Sequence, residues 1–345
     1  MAHSRHRSLR SLSLEVVVYR EDTQERHPPA DGGGWTLIWQ AAADTFHTAL
    51  VALAVSGIPV QKLDVYNREQ RCSLACNEPS AVNFESNMLA TSLASLKTLA
   101  VSFSDRIINE RTEDLGETGD SADEWDEHVE EEFRVPEDIE EELCQESTFS
   151  GLPALVQRCR GLESLELHHY QLMDLTDLEF NRHRERFLQR ISETVPLPPL
   201  KRVVLRGLRV RSADVLTFLE RLKPTLIQLS LQNLILVTGA KFGPIFDYCT
   251  SEDAGLERLY LDDLLEPEIS TRGTWWQLVY FTGEPNKEPK FKTSEPPRRG
   301  SNTVDRVGPQ IRQPIPYFSA SVPIRGHSRF AFSPWRGGRR EYGPP

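Results

Sequence analysis

The chain is 345 residues long, with 39% hydrophobic and 8% aromatic residues, enough to fill one large domain or two with a sizeable core. Its formal charge of −11 is segregated: residues 105–146 carry 19 acidic against three basic side chains, net −16, and residues 270–345 carry 13 basic against five acidic, net +8. About −3 is left for the rest, so the average charge neither identifies nor excludes a class of partner.

In chain order, one phrase of the form L-x-x-L-x-L recurs. Its copies are Leu9-Arg-Ser-Leu12-Ser-Leu14, Val60-Gln-Lys-Leu63-Asp-Val65, Leu96-Lys-Thr-Leu99-Ala-Val101 and Leu162-Glu-Ser-Leu165-Glu-Leu167. Three more follow: Leu200-Lys-Arg-Val203-Val-Leu205, Leu226-Ile-Gln-Leu229-Ser-Leu231 and Leu256-Glu-Arg-Leu259-Tyr-Leu261. The end of each phrase alternates apolar and polar positions, as a half-buried strand does. The starts are 51, 36, 66, 38, 26 and 30 residues apart, an irregular repeat in the range of solenoids.

Helical spacing fills the intervals. Phe46, Ala49, Leu50 and Leu53 form a stripe that stops at Gly57 and Pro59, and Phe84, Met88, Leu89 and Leu93 form a shorter one. Leu152, Leu155, Val156 and Cys159 predict a turn-rich helix before the Leu162 phrase. Residues 176–195 predict another, with Phe187, Leu188 and Ile191 on one face and Pro196 as its stop. Residues 212–223 bury Val215, Leu216, Leu219 and Leu222 ahead of Pro224; Phe242, Ile245, Phe246 and Cys249 end the series, with Pro244 suited to a first helical turn.

A lone strand and helix cannot bury both apolar faces, at about 25 cal/mol per Å² of apolar surface, so each unit must lean on its neighbours. The predicted class is α/β: an irregular leucine-rich-repeat-like solenoid over residues 1–269, with parallel strands and flanking helices. Residues of about 105–147 are expected to be an acidic, disordered insertion, and residues 270–345 a Pro/Gly/Arg-rich, largely disordered tail.

Catalytic constellations are not legible. Cys72 and Cys76 have no second pair at zinc-site spacing, and His168 and His169, adjacent on a strand, face opposite sides, while His183 lies 14 residues on. The acidic stretch lacks the glycine and oxygen spacing of a calcium loop, and Asp31-Gly-Gly-Gly34 lacks the lysine and hydroxyl of a phosphate cradle. No cofactor, metal or catalytic residue is therefore assigned, and no enzymatic activity is expected. The five cysteines, Cys72, Cys76, Cys144, Cys159 and Cys249, are odd in number and scattered with no secretory leader, which places the chain in the cytosol or nucleus. The longest apolar run, residues 49–55, is far below the roughly 20 residues of a membrane span, and the basic N-terminal residues 1–10 lack the amphipathic stretch of a transit peptide.

What remains is a polar stripe. The fifth and seventh phrase positions are Asp64 and Tyr66, Ala100 and Ser102, Glu166 and His168, Val204 and Arg206, Ser230 and Gln232, Tyr260 and Asp262. On a concave face, Asp64, Tyr66, Glu166, His168, Arg206, Gln232, Tyr260 and Asp262 would meet a protein partner, since Tyr, Arg and His carry much interface energy. A competing reading sends Arg298, Arg299, Arg336, Arg339 and Arg340, interleaved with Phe330, Phe332 and Trp335, to nucleic acid, but the basic residues are sparse. An enzyme on an unfamiliar α/β fold is the third reading; it requires a deep pocket with facing acid and base groups.

These residues resemble the leucine-rich-repeat proteins of filamentous fungi associated with the F-box. The likeness rests on Leu96-Lys-Thr-Leu99, Leu162-Glu-Ser-Leu165-Glu-Leu167, Leu200-Lys-Arg, Leu256-Glu-Arg-Leu259-Tyr-Leu261, Ile245-Phe-Asp-Tyr-Cys-Thr250 and the terminal Arg340-Glu-Tyr-Gly-Pro-Pro345. The resemblance implies repeats that present a substrate and an N-terminal helical box that docks on the adaptor of a cullin-based ubiquitin ligase. Here the first phrase begins at Leu9, leaving no room for such a box: either the gene model is truncated or the protein binds without delivering ubiquitin. The asparagine that regular repeats place after the third leucine is also replaced, by Leu208, Leu234 and Leu264.

Overall fold

The computed structural model describes residues 8–16, 35–67, 72–84, 86–104, 145–170, 185–194, 196–237, 240–270, 273–282 and 301–321. The architecture is mixed α/β, with a mostly parallel central sheet and flanking helices. The chain divides into two compact units, Met1–Val203 and Val204–Pro345, so the division falls well before the boundary expected at residue 269.

The first unit contains β1 (Leu12–Leu14), α1 (Trp35–Ser56), β2 (Lys62–Val65), β3 (Leu74–Ala75), α2 (Asn87–Leu93) and β4 (Thr98–Ser104). It continues through α3 (Gly151–Arg158), β5 (Ser164–Tyr170) and α4 (Phe187–Glu193). The first four phrases become parallel neighbours in the order β1-β2-β4-β5, with β3 paired to the end of β4. Their fourth positions stand in one row, Leu12, Leu63, Leu99 and Leu165, and their sixth in another, Leu14, Val65, Val101 and Leu167. Except for Leu12, these side chains are buried.

The register is fixed by a repeated backbone feature. The carbonyl of Gln61, second in its phrase, accepts the N–H groups of Lys97 and Thr98 at 2.8 and 3.1 Å; that of Lys97 accepts Glu163 and Ser164; that of Glu163 accepts Lys201 and Arg202. Each carbonyl has two lone pairs, so one acceptor aligns two donors of the next strand and no buried backbone group is lost at the strand entrance.

The helices supply the other side of the core. α1 is long and apolar enough over Ile38–Ser56 to cross a membrane by length and composition. Its Ile38, Trp39, Ala42, Ala43, Phe46, Leu50 and Leu53 are buried, the pattern of a core helix. α2 is tied to it by Ser92 Oγ, which donates to the Leu53 carbonyl at 2.7 Å; Met88, expected on the inner stripe, is exposed instead. α3 and α4 bury the expected Leu152, Leu155, Val156, Phe187, Leu188 and Ile191.

β6 (Arg202–Arg206) straddles the division. The second unit then runs β7 (Arg209–Val210), α5 (Ser212–Leu222), β8 (Gln228–Gln232), β9 (Ile235–Leu236), α6 (Gly243–Thr250) and β10 (Arg258–Asp262). It closes with β11 (Leu265–Ser270), β12 (Gly273–Phe281), β13 (Thr303–Val307) and β14 (Tyr317–Ser321). β6, β8 and β10 are neighbours in that order, and β8 and β10 pair in parallel with Leu229 opposite Leu259 and Leu231 opposite Leu261. The Ile227 carbonyl receives Glu257 and Arg258 as in the first unit.

Each phrase here continues into a second strand, two residues long in β7 and β9 and six in β11. The eighth residues, Gly207, Asn233 and Asp263, all have positive φ, at 71°, 50° and 50°, and so turn the chain in the left-handed region that Gly, Asn and Asp tolerate. Leu208, Leu234 and Leu264 then drop into the core, where the regular asparagine was missed, and the following residues form a second sheet in the order β7-β9-β11-β12-β14.

The expected disordered tail is corrected over much of its length. β12 pairs antiparallel with β11 and β14 antiparallel with β12, and β13 pairs antiparallel with β10, covering its edge. Gly273–Phe281 reads Thr-Trp-Trp-Gln-Leu-Val-Tyr-Phe after its glycine, a strongly strand-forming run, and Val279, Phe281, Val304 and Ile311 are fully buried. The Pro- and Arg-rich composition belongs mainly to residues 283–300 and 322–345, which lie outside the described residues, as do residues 105–144 of the acidic insertion, the glycine run 31–34, Cys144 and His183. The insertion's last residues enter a 3-10 turn at Glu146–Phe149 that buries Thr148 and Phe149.

One glycine is dictated by packing. Gly151 opens α3 with its N–H donated to Ser80 Oγ at 3.0 Å, while that hydroxyl donates to the Thr148 carbonyl, and a Cβ at residue 151 would overlap the backbone of Pro79 and Ser80. Gly151→Ala is expected to destabilise the first unit by about 1–3 kcal/mol, since backbone cannot yield as a side-chain tip does. Urea unfolding midpoints would measure this; an unchanged midpoint would mean that the contact is not tight.

Candidate functional site: the polar face of the parallel strands

Outside the first phrase, whose Leu9 is exposed and Leu12 half-buried, positions 1, 4 and 6 are committed to the core, so positions 2, 3, 5 and 7 are the ones that can face outward. The structure separates these into two levels. In the first unit, at the fifth and seventh positions, Ala100, Ser102, Asp64 and Tyr66 are all buried. Tyr66 is a correction to the expected partner-binding set: it is fully buried, its hydroxyl donates to the Ala42 carbonyl of α1 at 2.7 Å, and burial raises its pKa. Its φ of 57° turns the side chain out of strand alternation, which no periodicity argument anticipates. Asp64 is likewise inside, 3% exposed, and its Oδ1 accepts the Asn67 N–H at 3.2 Å.

Glu166 is half-buried, and its carboxylate gathers neighbours from two other strand ends: Asn67 Nδ2 at 2.8 Å and Arg202 Nη1 at 3.2 Å. His168 is half-buried, its ring centroid 4.0 Å from that of Tyr170, while His169 turns inward against Phe103, the opposite orientation expected of adjacent strand residues.

Of the expected residues in the second unit, Arg206, Gln232 and Tyr260 are half-buried, and Val204 is in the core. Gln232 Nε2 donates to Ser230 Oγ at 2.8 Å. Asp262 is 4% exposed and accepts Thr303 Oγ1 at 2.8 Å from β13, so it fastens the edge strand rather than facing a partner. Of the eight expected residues, four belong to each unit, and Asp64, Tyr66 and Asp262 are buried.

The exposed chemistry lies one level lower, at the strand entrances. The paired second positions Lys97, Glu163 and Lys201 are adjacent because each carbonyl there binds the next strand's N–H groups. Glu163 accepts Lys97 Nζ at 2.9 Å and Lys201 Nζ at 2.8 Å, with both lysine side chains about half exposed. The Lys201 hydrogen bond, then that of Lys97, holds the Glu163 carboxyl down at about 2, so it remains ionised throughout the ordinary pH range. Arg202, third in its phrase, reaches Ser164 and Glu166 on the same face. Aligning second positions down the sequence, Arg10, Gln61, Lys97, Glu163 and Lys201, would have exposed this row.

Two other polar constellations are structural. Glu266 stands where the preceding repeats have Val210 and Leu236, and it is 1% exposed. Its Oε1 accepts the Phe242 N–H at 2.7 Å and the Tyr317 hydroxyl at 3.1 Å, and its Oε2 accepts Lys241 Nζ at 2.9 Å and Ser319 Oγ at 2.6 Å. A buried carboxylate is tolerable only with such a set of donors. It sits at the entrance to α6 and holds β14 on β11. Burial, with the Glu266 carboxylate beside it, pushes the Tyr317 hydroxyl up to about 12, so it stays protonated as a donor. The second constellation is His47 of α1, whose Nε2 is 2.6 Å from Glu78 Oε2. That hydrogen bond raises the His47 pKa above 6.5, outweighing the effect of burial.

Burial pushes the Cys159 and Cys249 thiols up to about 12, opposite to an activated cysteine. Among the described residues no group of three or more His, Cys, Asp or Glu side chains could hold a metal ion. A scan against protein-family models finds no match to this chain, and a search of curated proteins finds none either.

Glu266→Leu, close in size to the residues at the equivalent positions, is expected to cost about 3 kcal/mol because it leaves the Phe242 N–H and the Ser319 hydroxyl unpartnered and the Tyr317 hydroxyl, which still accepts the Gly243 N–H, without its acceptor. Urea unfolding followed by tryptophan fluorescence would report it, and a neutral result would mean that the cluster is dispensable.

For His47 the folded-state pKa exceeds the unfolded value of 6.5, so the stabilisation from the Glu78 pair is complete below that pH and fades as pH rises through the folded value. The stability gap between the parent chain and His47→Gln should therefore shrink as pH rises above 6.5. A constant gap would show that the pair is not protonation-dependent.

Proposed function

We propose that the chain is a non-catalytic protein-binding scaffold: an irregular leucine-rich-repeat-like solenoid similar to the substrate-recognition part of an F-box ubiquitin-ligase receptor, working in the cytosol or nucleus. The observation that carries the reading is the register of the phrases. Leucines pair with leucines from strand to strand, and the polar second and third positions are thereby presented side by side as an exposed, ordered row. Such a row offers a partner side chains whose spacing is preset by backbone bonds, which lowers the ordering cost of binding. In the same unit, half-buried Glu166 and His168 lie on the strand that follows Glu163. The protein partner supplies the specificity, and a ubiquitin-ligase adaptor is a second partner only for a form of the protein that carries an F-box.

Amine-reactive cross-linking of the tagged full chain after affinity capture tests this. Partner cross-links should concentrate on Lys62, Lys97 and Lys201, and the capture should be lost in a Lys97→Glu/Lys201→Glu variant whose melting temperature is unchanged. Cross-links confined to other surfaces, or a small-molecule turnover tracked to the pure protein, would sink the scaffold reading. An adaptor and cullin in the captured material would extend it to ubiquitin delivery.

A further inference from the structure

The nature of the partner follows from the charge of the strand entrances in the first unit. At the second and third phrase positions stand Arg10, Lys62, Lys97, Lys201 and Arg202 against a single acid, Glu163. Including Glu166, the partner of Arg202, leaves five basic side chains against two acidic ones. Arg10, Lys97 and Lys201 are exposed, and Lys62 and Arg202 are half-buried.

The ion pairs do not exhaust this charge. Lys97 and Lys201 share one carboxylate, so the three side chains together carry a net charge of +1, and each ammonium has three donors of which Glu163 takes one. Glu163 also fixes the spacing. It lies on the strand between its two lysines, which places their backbones two strand separations apart, about 9.6 Å. The Arg202 guanidinium, held by Ser164 and Glu166, adds a planar fork suited to a carboxylate.

A partner cannot go deeper. Above this row, Asp64, Ala100 and Ser102 are 3%, 4% and 0% exposed, so these three positions give a hydrophobic peptide no accessible apolar floor. What is offered is a shallow, ordered, basic edge, to which the complementary ligand is an extended acidic segment. Its side chains repeat on one side about every 6.8 Å, so two carboxylates of one segment come within reach of the two flexible lysine side chains.

We propose that this strand-entrance row is a docking strip for an acidic peptide segment of another protein, with Lys97, Lys201 and Arg202 as the principal contacts and Glu163 as their spacer. The inference rests on the scaffold reading and names the chemistry of its partner.

The test uses the purified full chain and three fluorescent probes of equal length: a twelve-residue peptide rich in glutamate, its glutamine counterpart, and a single-stranded oligonucleotide. The glutamate peptide should bind and the glutamine peptide should not, with affinity falling as salt rises from low to physiological strength. Lys97→Gln/Lys201→Gln should weaken binding about fivefold to tenfold, the scale of two exposed charge pairs. Glu163→Gln, which removes the competing carboxylate, should leave binding equal or tighter.

Oligonucleotide binding as strong as that of the glutamate peptide, with the same sensitivity to the lysines, would overturn the peptide assignment in favour of a general polyanion surface. Failure of the glutamate peptide, while cross-linking still places a captured protein on the strand entrances, would overturn the acidic chemistry and leave the scaffold reading standing. Failure of both would remove the two together. The double variant's circular dichroism melt separates lost charge from lost folding.

Discussion

The structure depends on one backbone device: a carbonyl at the second phrase position that accepts two N–H groups from the following strand. Gln61, Lys97, Glu163 and Ile227 all act this way. Side-chain alternation has a period of two, so a slip of one residue would turn Leu63, Leu99 and Leu165 out to solvent and their polar neighbours into the core. The bifurcated acceptor holds the entrance in place against such a slip, and the buried leucines hold the middle. Local hydrogen bonding and long-range burial thus demand the same register, which is the agreement between levels that makes a fold unique.

The same device turns a core-building pattern into a surface. Once the strands are aligned, the side chains at the second positions have no choice of neighbour. Lys97 and Lys201 are 104 residues apart in the sequence, yet both reach Glu163. Exposed ion pairs contribute little stability individually. This ladder is therefore better understood as a consequence of register that presets the surface than as a force that maintains it. Glu266 is the contrasting case: a charge at a position that the preceding repeats give to Val210 and Leu236, made tolerable by four donors from α6's entrance and from β14. It ends the apolar pattern and fastens the antiparallel strands that follow.

Much of the sheet was legible because its determinants are local and periodic. Seven hexamers predict seven strands, and the helices between them start and stop near the expected Gly and Pro residues. The second strand of each later repeat was missed, although Gly207, Asn233 and Asp263 are the residue types that accept a left-handed turn; the signal is a residue class, not a shared letter. The tail was misjudged because composition averages over segments. The aromatic and β-branched run in Gly273–Phe281 was outweighed by prolines and arginines on either side of the later strands. Its burial depends on β11 and β14, contacts that no local window contains.

Of the outward stripe, Glu166, His168, Arg206, Gln232 and Tyr260 are half-buried and Asp64, Tyr66 and Asp262 are buried. Strand alternation says only which side of a sheet a residue takes; accessibility also depends on what lies over the sheet and on where the strand ends. Tyr66 illustrates the second point. It occupies an outward seventh position by count, but its positive φ ends the strand there and sends the ring towards α1. Asp262 illustrates the first, since β13 pairs beside it and takes up its carboxylate through Thr303. At the entrances neither effect operates: among the described residues Lys97 and Lys201 stay half exposed because the strand has just begun and the core-facing leucine lies behind them. In a stack of short strands, then, the entrance rows keep their charged side chains at the surface where the strand centres do not.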